Sequence, residues 1–106
     1  MTEPARIRVI RLPARWRDRA ILYRVIIDDE VIGALSSGSY GEFDVEPGDH
    51  RVRIMADRRF GSEEWGVQLK EGEVGYFECR SNAGALTIID LIRHRPWIDL
   101  HPIGEP

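Results

Sequence analysis

The feature that most restricts the fold is Pro47-Gly48, set between two runs that alternate apolar and charged residues across Tyr40 to Ala56. Proline presets φ at about −65° and glycine accepts positive φ, so the pair fits the middle of a type II turn. A two-residue loop then sets a register in which Val45 faces His50, Asp44 faces Arg51, Phe43 faces Val52 and Glu42 faces Arg53. Phe43, Val45, Val52, Ile54 and Ala56 share one face. Glu42, Asp44, Arg51 and Arg53 share the other. A slip by one residue mixes the two sets, so the pattern predicts a β-hairpin in this register. Its charges read as a solvated sheet face, and His50, just after the turn, reads as a cap on the hairpin end.

The rest of the chain continues in the same way. Ala5 to Arg11 alternates around Ile7 and Val9 and predicts a first strand, ended by Pro13. Ile21 to Ile27 predicts a central strand with Tyr23, Val25 and Ile27 inward. Asp28-Asp29-Glu30 predicts a turn. Val31 to Leu35 predicts the return strand, with a bulge or close backbone approach at Gly33. Ser36 to Ser39 and Asp57 to Ser62 read as loops. Glu63 to Leu69 and Val74 to Arg80 predict a second hairpin about Gly72, pairing Val67 with Phe77 and Trp65 with Cys79. Ala85 to Arg93 fits neither alternation nor a narrow helical stripe. It is read as a short buried helix or irregular crossover before a last strand near Trp97 to Leu100. The whole predicts an all-β, mainly antiparallel sandwich of about seven or eight strands, with one short C-terminal helix as an option.

Length and composition set the remaining bounds. The 106 residues make one domain, 1–106, with frayed ends at 1–4 and 104–106. One cysteine excludes an internal disulfide and fits a reducing cytoplasm, or a secreted protein that does not rely on bridges. Residues 1–20 are polar and arginine-rich, without an apolar leader. The longest apolar run, Ala83 to Ile92, contains Asp90 and is too short to span a bilayer. Net charge is −3. Residues 1–27 hold seven arginines, and residues 28–50 hold seven acids with no Lys or Arg. Opposite blocks of this kind pair within a fold, pair between copies, or stay as separate solvated patches.

Tyr23 to Leu35, followed by Phe43 to Val52 with its Pro47-Gly48-Asp49-His50-Arg51-Val52, resembles the PEGA-like domain. That family's pattern runs V-x-I-D-G-x-x-x-G, a spacer, a strand, then P-G-x-H-x-V. Asp29 stands where the pattern has a turn glycine. The resemblance spans about residues 23–56. It implies a small antiparallel β-sandwich, also found as stand-alone bacterial proteins of this size. It further implies a non-catalytic accessory or interaction module.

Phosphate-loop, dinucleotide and nucleophile-elbow motifs are missing, and the glycines are spaced like turns. Cys79 lies mid-strand on the inward parity and reads as a core thiol. His94, Asp99 and His101 are weak candidates for metal ligation, and Asp99 and His101 share a face if extended. Arg15, Trp16, Arg17 and Arg19 form an aromatic–cationic cluster. With the acids Asp28, Asp29 and Glu30, it is the candidate interaction surface. Net negative charge argues against nucleic acid. The expected function is a non-enzymatic, cytoplasmic interaction module without cofactor, binding another protein. Self-association into a homodimer, and a small-ligand, metal-binding or enzymatic pocket between the sheets, are the alternatives.

Overall fold

The computed structural model describes residues 3–13, 21–56, 61–81 and 98–104. These form eight strands and no helix: β1 (Ala5–Arg11), β2 (Tyr23–Ile27), β3 (Glu30–Leu35), β4 (Tyr40–Val45), β5 (Gly48–Met55), β6 (Trp65–Leu69), β7 (Val74–Ser81) and β8 (Ile98–Ile103). The strands make two four-stranded sheets, ordered β4-β1-β7-β8 and β3-β2-β5-β6. β1 and β7 run parallel. Every other pairing is antiparallel.

The core lies between the sheets and follows the alternation of the strands. Ala5, Ile7, Val9, Phe77, Cys79, Ile98 and Leu100 enter from the first sheet, and Tyr23, Val25, Ile27, Leu35, Val52, Ile54 and Leu69 from the second. Phe43, Val45, Ala56, Trp65 and Val67 pack at its margin. Each fully buried Val, Ile, Leu or Phe contributes about 1.5–3 kcal/mol, so the inward rows dominate the stability.

Both hairpins expected across sheet-to-sheet connections are corrected. β4 does not pair with β5. It pairs with β1, Asp44 opposite Arg6 and Glu42 opposite Arg8, while β5 lies between β2 and β6. Gly48 takes φ 133°, well beyond the second central position of a type II turn, at about +80°. The chain thereby steps from one sheet to the other instead of folding back. β6 and β7 likewise separate: Val67 pairs with His50 and Trp65 with Val52, whereas Phe77 and Cys79 pair with β1 and β8. The turn about Gly72 does form, with positive φ at Gly72 and Glu73 N–H donating to the Lys70 carbonyl. It delivers the chain to the opposite sheet. The inward and outward faces are as the alternation predicts. The partners differ because arginine-bearing strands of the same parity, β1 and β5, both suit the acids of β4.

The β2–β3 hairpin forms as expected. Asp28 and Asp29 have φ 52° and 67°, the two left-handed residues that a type I′ turn requires. The register shifts at Val25/Ile26, leaving Ile32 as the extra residue of a bulge. A Cβ on Gly33 would lie 2.6 Å from Phe43 Cε1, so Gly33 also marks a close approach of the two sheets. β8 starts at Ile98 and continues past Leu100 to Ile103. Ala85–Arg93, Pro96 and Trp97 lie outside the described residues.

Arg11, counted with the basic block, is a core residue. It occupies the inward row of β1 after Ala5, Ile7 and Val9 and is 1% exposed. Its guanidinium donates to the Ile21 and Leu35 carbonyls at 2.6 and 2.8 Å and lies 3.6 Å from the Tyr23 ring centroid. It ties the chain entering β2 and the end of β3 to the first sheet.

Candidate interaction surfaces

The outer face of the first sheet answers its own charges. Arg6 meets Asp44 at 3.1 Å and Arg8 meets Glu42 at 3.5 Å. Arg8 also stacks on Tyr40, 4.3 Å from the ring centroid. Across β7 and β8, Arg80 meets Asp99 at 3.5 Å, and His101 lies 3.5 Å from Glu78 and 3.6 Å from Asp99. Exposed pairs of this kind contribute about 0.2–1 kcal/mol each. Their main effect is to leave no unanswered charge on this face among the described residues. Part of the N-terminal basic block is thus paired inside the fold with part of the acidic block.

The outer face of the second sheet is different. Arg51 meets Asp29 at 2.6 Å and Glu64 at 3.7 Å, and Arg53 approaches Glu64 at 3.9 Å. Arg24 has no carboxylate partner among the described residues. Around it, Leu22 and Val31 are 55% and 57% exposed, and Ile21 and Ile32 are also exposed. Ile26 points outward between Val31 and Arg53 yet is buried. An apolar strip with an unanswered arginine therefore runs along β2 and β3.

One end of the sandwich is held by His50. Its ring lies on the inward row of β5, with the side chain 12% exposed. Nδ1 is 2.6 Å from Asp28 Oδ2, and Nε2 approaches the Glu46 carbonyl. Asp28 Oδ1 accepts from the Arg51 N–H at 2.9 Å. The Glu46 carbonyl can only accept, as can an ionised Asp28. Both ring nitrogens must therefore donate, which only the imidazolium can do. Burial of the ring pushes its pKa down, but the bonds to Asp28 and to the Glu46 carbonyl more than reverse this, and the pKa is raised. The His50 bond holds the Asp28 carboxyl below the usual carboxylate range against the opposing effect of burial. The clasp joins the β2–β3 turn to the strand-to-strand crossing at Glu46-Pro47. The inward parity of residues 50, 52 and 54 was the signal for it in the sequence.

The expected site residues divide in three. Arg15, Trp16, Arg17 and Arg19, with His94, lie outside the described residues. Asp28 and Asp29 are engaged in the clasp and the Arg51 pair, while Glu30 stays exposed beside them. Asp99 and His101 do share the outer face of β8. No group of three His, Cys, Asp or Glu side chains suited to a metal occurs among the described residues. Cys79 is buried, and burial pushes its thiol up to about 12. An open groove of about 560 Å³ lies where β6 splays from β7 and β8, lined by Val67, Leu69, Glu73, Phe77, Pro102 and Ile103 among others. Neither Asp99 nor His101 reaches it. No helix among the described residues is long and apolar enough to cross a membrane. Compared with protein-family models and with curated proteins, the chain matches none.

Proposed function

We propose that this chain is a non-enzymatic interaction module that binds another protein through the β2–β3 side of its sandwich. The observation that carries the reading is the contrast between the two outer faces. One is closed by its own ion pairs. The other presents Leu22, Val31 and Ile32 beside Arg24, which has no carboxylate partner among the described residues. Exposed apolar surface rimmed by polar groups is the usual mark of a protein contact. The PEGA-like resemblance points the same way and suggests a bacterial source, and a reducing cytoplasm is the setting we assign, on the lone free cysteine. Trp16 with Arg15, Arg17 and Arg19, and Glu30 with Asp28 and Asp29, are the further contact candidates.

The test is site-specific photo-crosslinking in the cells of origin, with the probe at Val31 and a control probe at Glu78. A discrete adduct at Val31, lost when Arg24→Glu is added, is the expected result. Adducts of equal yield at both positions, or none at either, would overturn the choice of surface. The groove between β6 and β8 favours a second reading, an apolar small ligand. Retention of a ligand through purification, lost in Val67→Trp, would promote it.

A further inference from the structure

We propose that the free edge of β4 is a strand-addition site for an extended peptide segment that alternates basic and apolar residues. The proposal rests on the interaction-module reading and names the chemistry of the partner.

The direction of the backbone groups is readable from the bonds beyond the ladders. Arg11 N–H donates to the Ser39 carbonyl, and Arg6 N–H donates to the Glu73 carbonyl. Successive residues of a strand send these groups to opposite edges. Odd residues of β1 therefore bond to β4, where their partners are Val45, Phe43 and Gly41. The backbone N–H and C=O groups of Tyr40, Glu42 and Asp44 point the other way. Among the described residues they have no backbone partner. β4 carries no proline and no bulge.

The other three edges are less open. On β8, Ile98 N–H donates to the Gly61 carbonyl, the Leu100 carbonyl accepts from Trp65 Nε1, and Pro102 has no N–H to offer. β3 is interrupted by the bulge at Ile32. β6 is shorter, at five residues, and by the same alternation turns only Gly66 and Gln68 outward. Capped, bulged and short edges resist strand addition. The β4 edge does not.

Side chains then select the partner. The outer row of β4 is Tyr40, Glu42 and Asp44, and the inner row is Gly41, Phe43 and Val45. β1 already shows what complements these rows. It sets Arg8 and Arg6 against Glu42 and Asp44, and Val9, Ile7 and Ala5 against the inner row. A segment of the same alternation on the other side of β4 places further cations beside Glu42 and Asp44, whose side chains remain 40% and 66% exposed after pairing with Arg8 and Arg6. A second copy is disfavoured. Two β4 edges meeting about a two-fold set Glu42 against Glu42 and Asp44 against Tyr40, and like charges directly opposite destabilise a pairing. Main-chain bonds supply affinity in such complexes, and the alternate side chains supply the choice of partner.

The test is fluorescence anisotropy of the full chain with a labelled peptide, Val-Arg-Val-Arg-Val-Arg-Val, against its Arg-to-Glu counterpart. The arginine peptide is expected to bind about tenfold more tightly or better, with amide chemical shifts moving along Tyr40 to Val45. Glu42→Pro removes an N–H that β1 does not use and should abolish binding. Glu42→Thr keeps that N–H and should weaken binding only several-fold. Equal binding of the two peptides, shift changes confined to β6, or binding unaffected by Glu42→Pro would overturn the proposal. Dimerisation suppressed by Glu42→Pro would overturn the choice of partner. If the peptides fail while the Val31 adduct persists, the edge is wrong and the module reading stands.

Discussion

Raising the pH from about 5.5 to about 8.5 should weaken this fold through His50. Its folded pKa lies above the ordinary 6.5. Its contribution is therefore fully present below about 6.5 and is lost as pH rises through the folded value. Asp28, held below 3.8, has the opposite sense: its contribution is present above that value and fades as pH falls through the folded one. The clasp is at full strength between about 4 and 6.5. On deprotonation the ring keeps one donor for two acceptors, so one bond is lost and a nitrogen lone pair faces an oxygen. A hydrogen bond to a charged group contributes about 1.5–3 kcal/mol. The Asp28 side chain is 44% exposed, and solvent screening reduces the expected loss to about 1 kcal/mol. That corresponds to a fall in Tm of about 4 °C for a chain of this size. The assay is urea unfolding followed by tryptophan fluorescence across the pH range, on the wild type and His50→Gln. The difference between the two proteins isolates the clasp. Parallel pH profiles for the two proteins would refute the reasoning.

Three further outcomes are expected. Gly33→Ala should cost about 1–3 kcal/mol by forcing the Phe43 ring aside, and Phe43→Leu in the same chain should recover part of that loss in thermal unfolding. Arg11→Ala should cost about 3 kcal/mol or more by leaving the Ile21 and Leu35 carbonyls short of a donor in a buried place. Arg11→Lys should restore little of it, lacking the planar fork that reaches both carbonyls and stacks on Tyr23. Cys79 should resist a thiol reagent at about pH 8 at a rate set by opening of the fold, and prompt labelling of the native protein would contradict its burial.

The parity of nearly every strand was legible, because one buried face imposes a period of two on the sequence. Ile7 and Val9, Tyr23, Val25 and Ile27, and Phe77 with Cys79 all face inward as the alternation requires. The Asp28-Asp29 turn and the special place of Gly33 were legible too. Strand partners were not. Glu42 and Asp44 are complementary both to Arg53 and Arg51 and to Arg8 and Arg6, so charge leaves the choice open. The backbone at Gly48 decides it by turning the chain into the other sheet. Arg11 was missed as a core residue, and His50 was read only as a cap on the hairpin end, because a polar residue on an inward row looks like the end of a pattern. In both cases the group is largely withdrawn from solvent and held by partners from other parts of the chain. The exposed apolar strip along β2 and β3 escaped notice for the converse reason: Val31 and Leu22 read as ordinary members of apolar strands.

The place of β1 has a consequence for the order in which the fold can be assembled. β1 is earliest in sequence of the eight strands, yet it lies inside its sheet, between β4 and β7. Its parallel partner begins at Val74, opposite Arg6, so that contact closes a long loop before any of its stabilisation is gained. Among the described connections, only β2–β3 joins two paired strands by a tight local turn. During synthesis Ile7 and Val9 have nothing to pair with on one side until β7 has emerged. A chain so arranged refolds slowly for its size, and its first strand spends that interval as an exposed apolar segment guarded by its own alternating arginines.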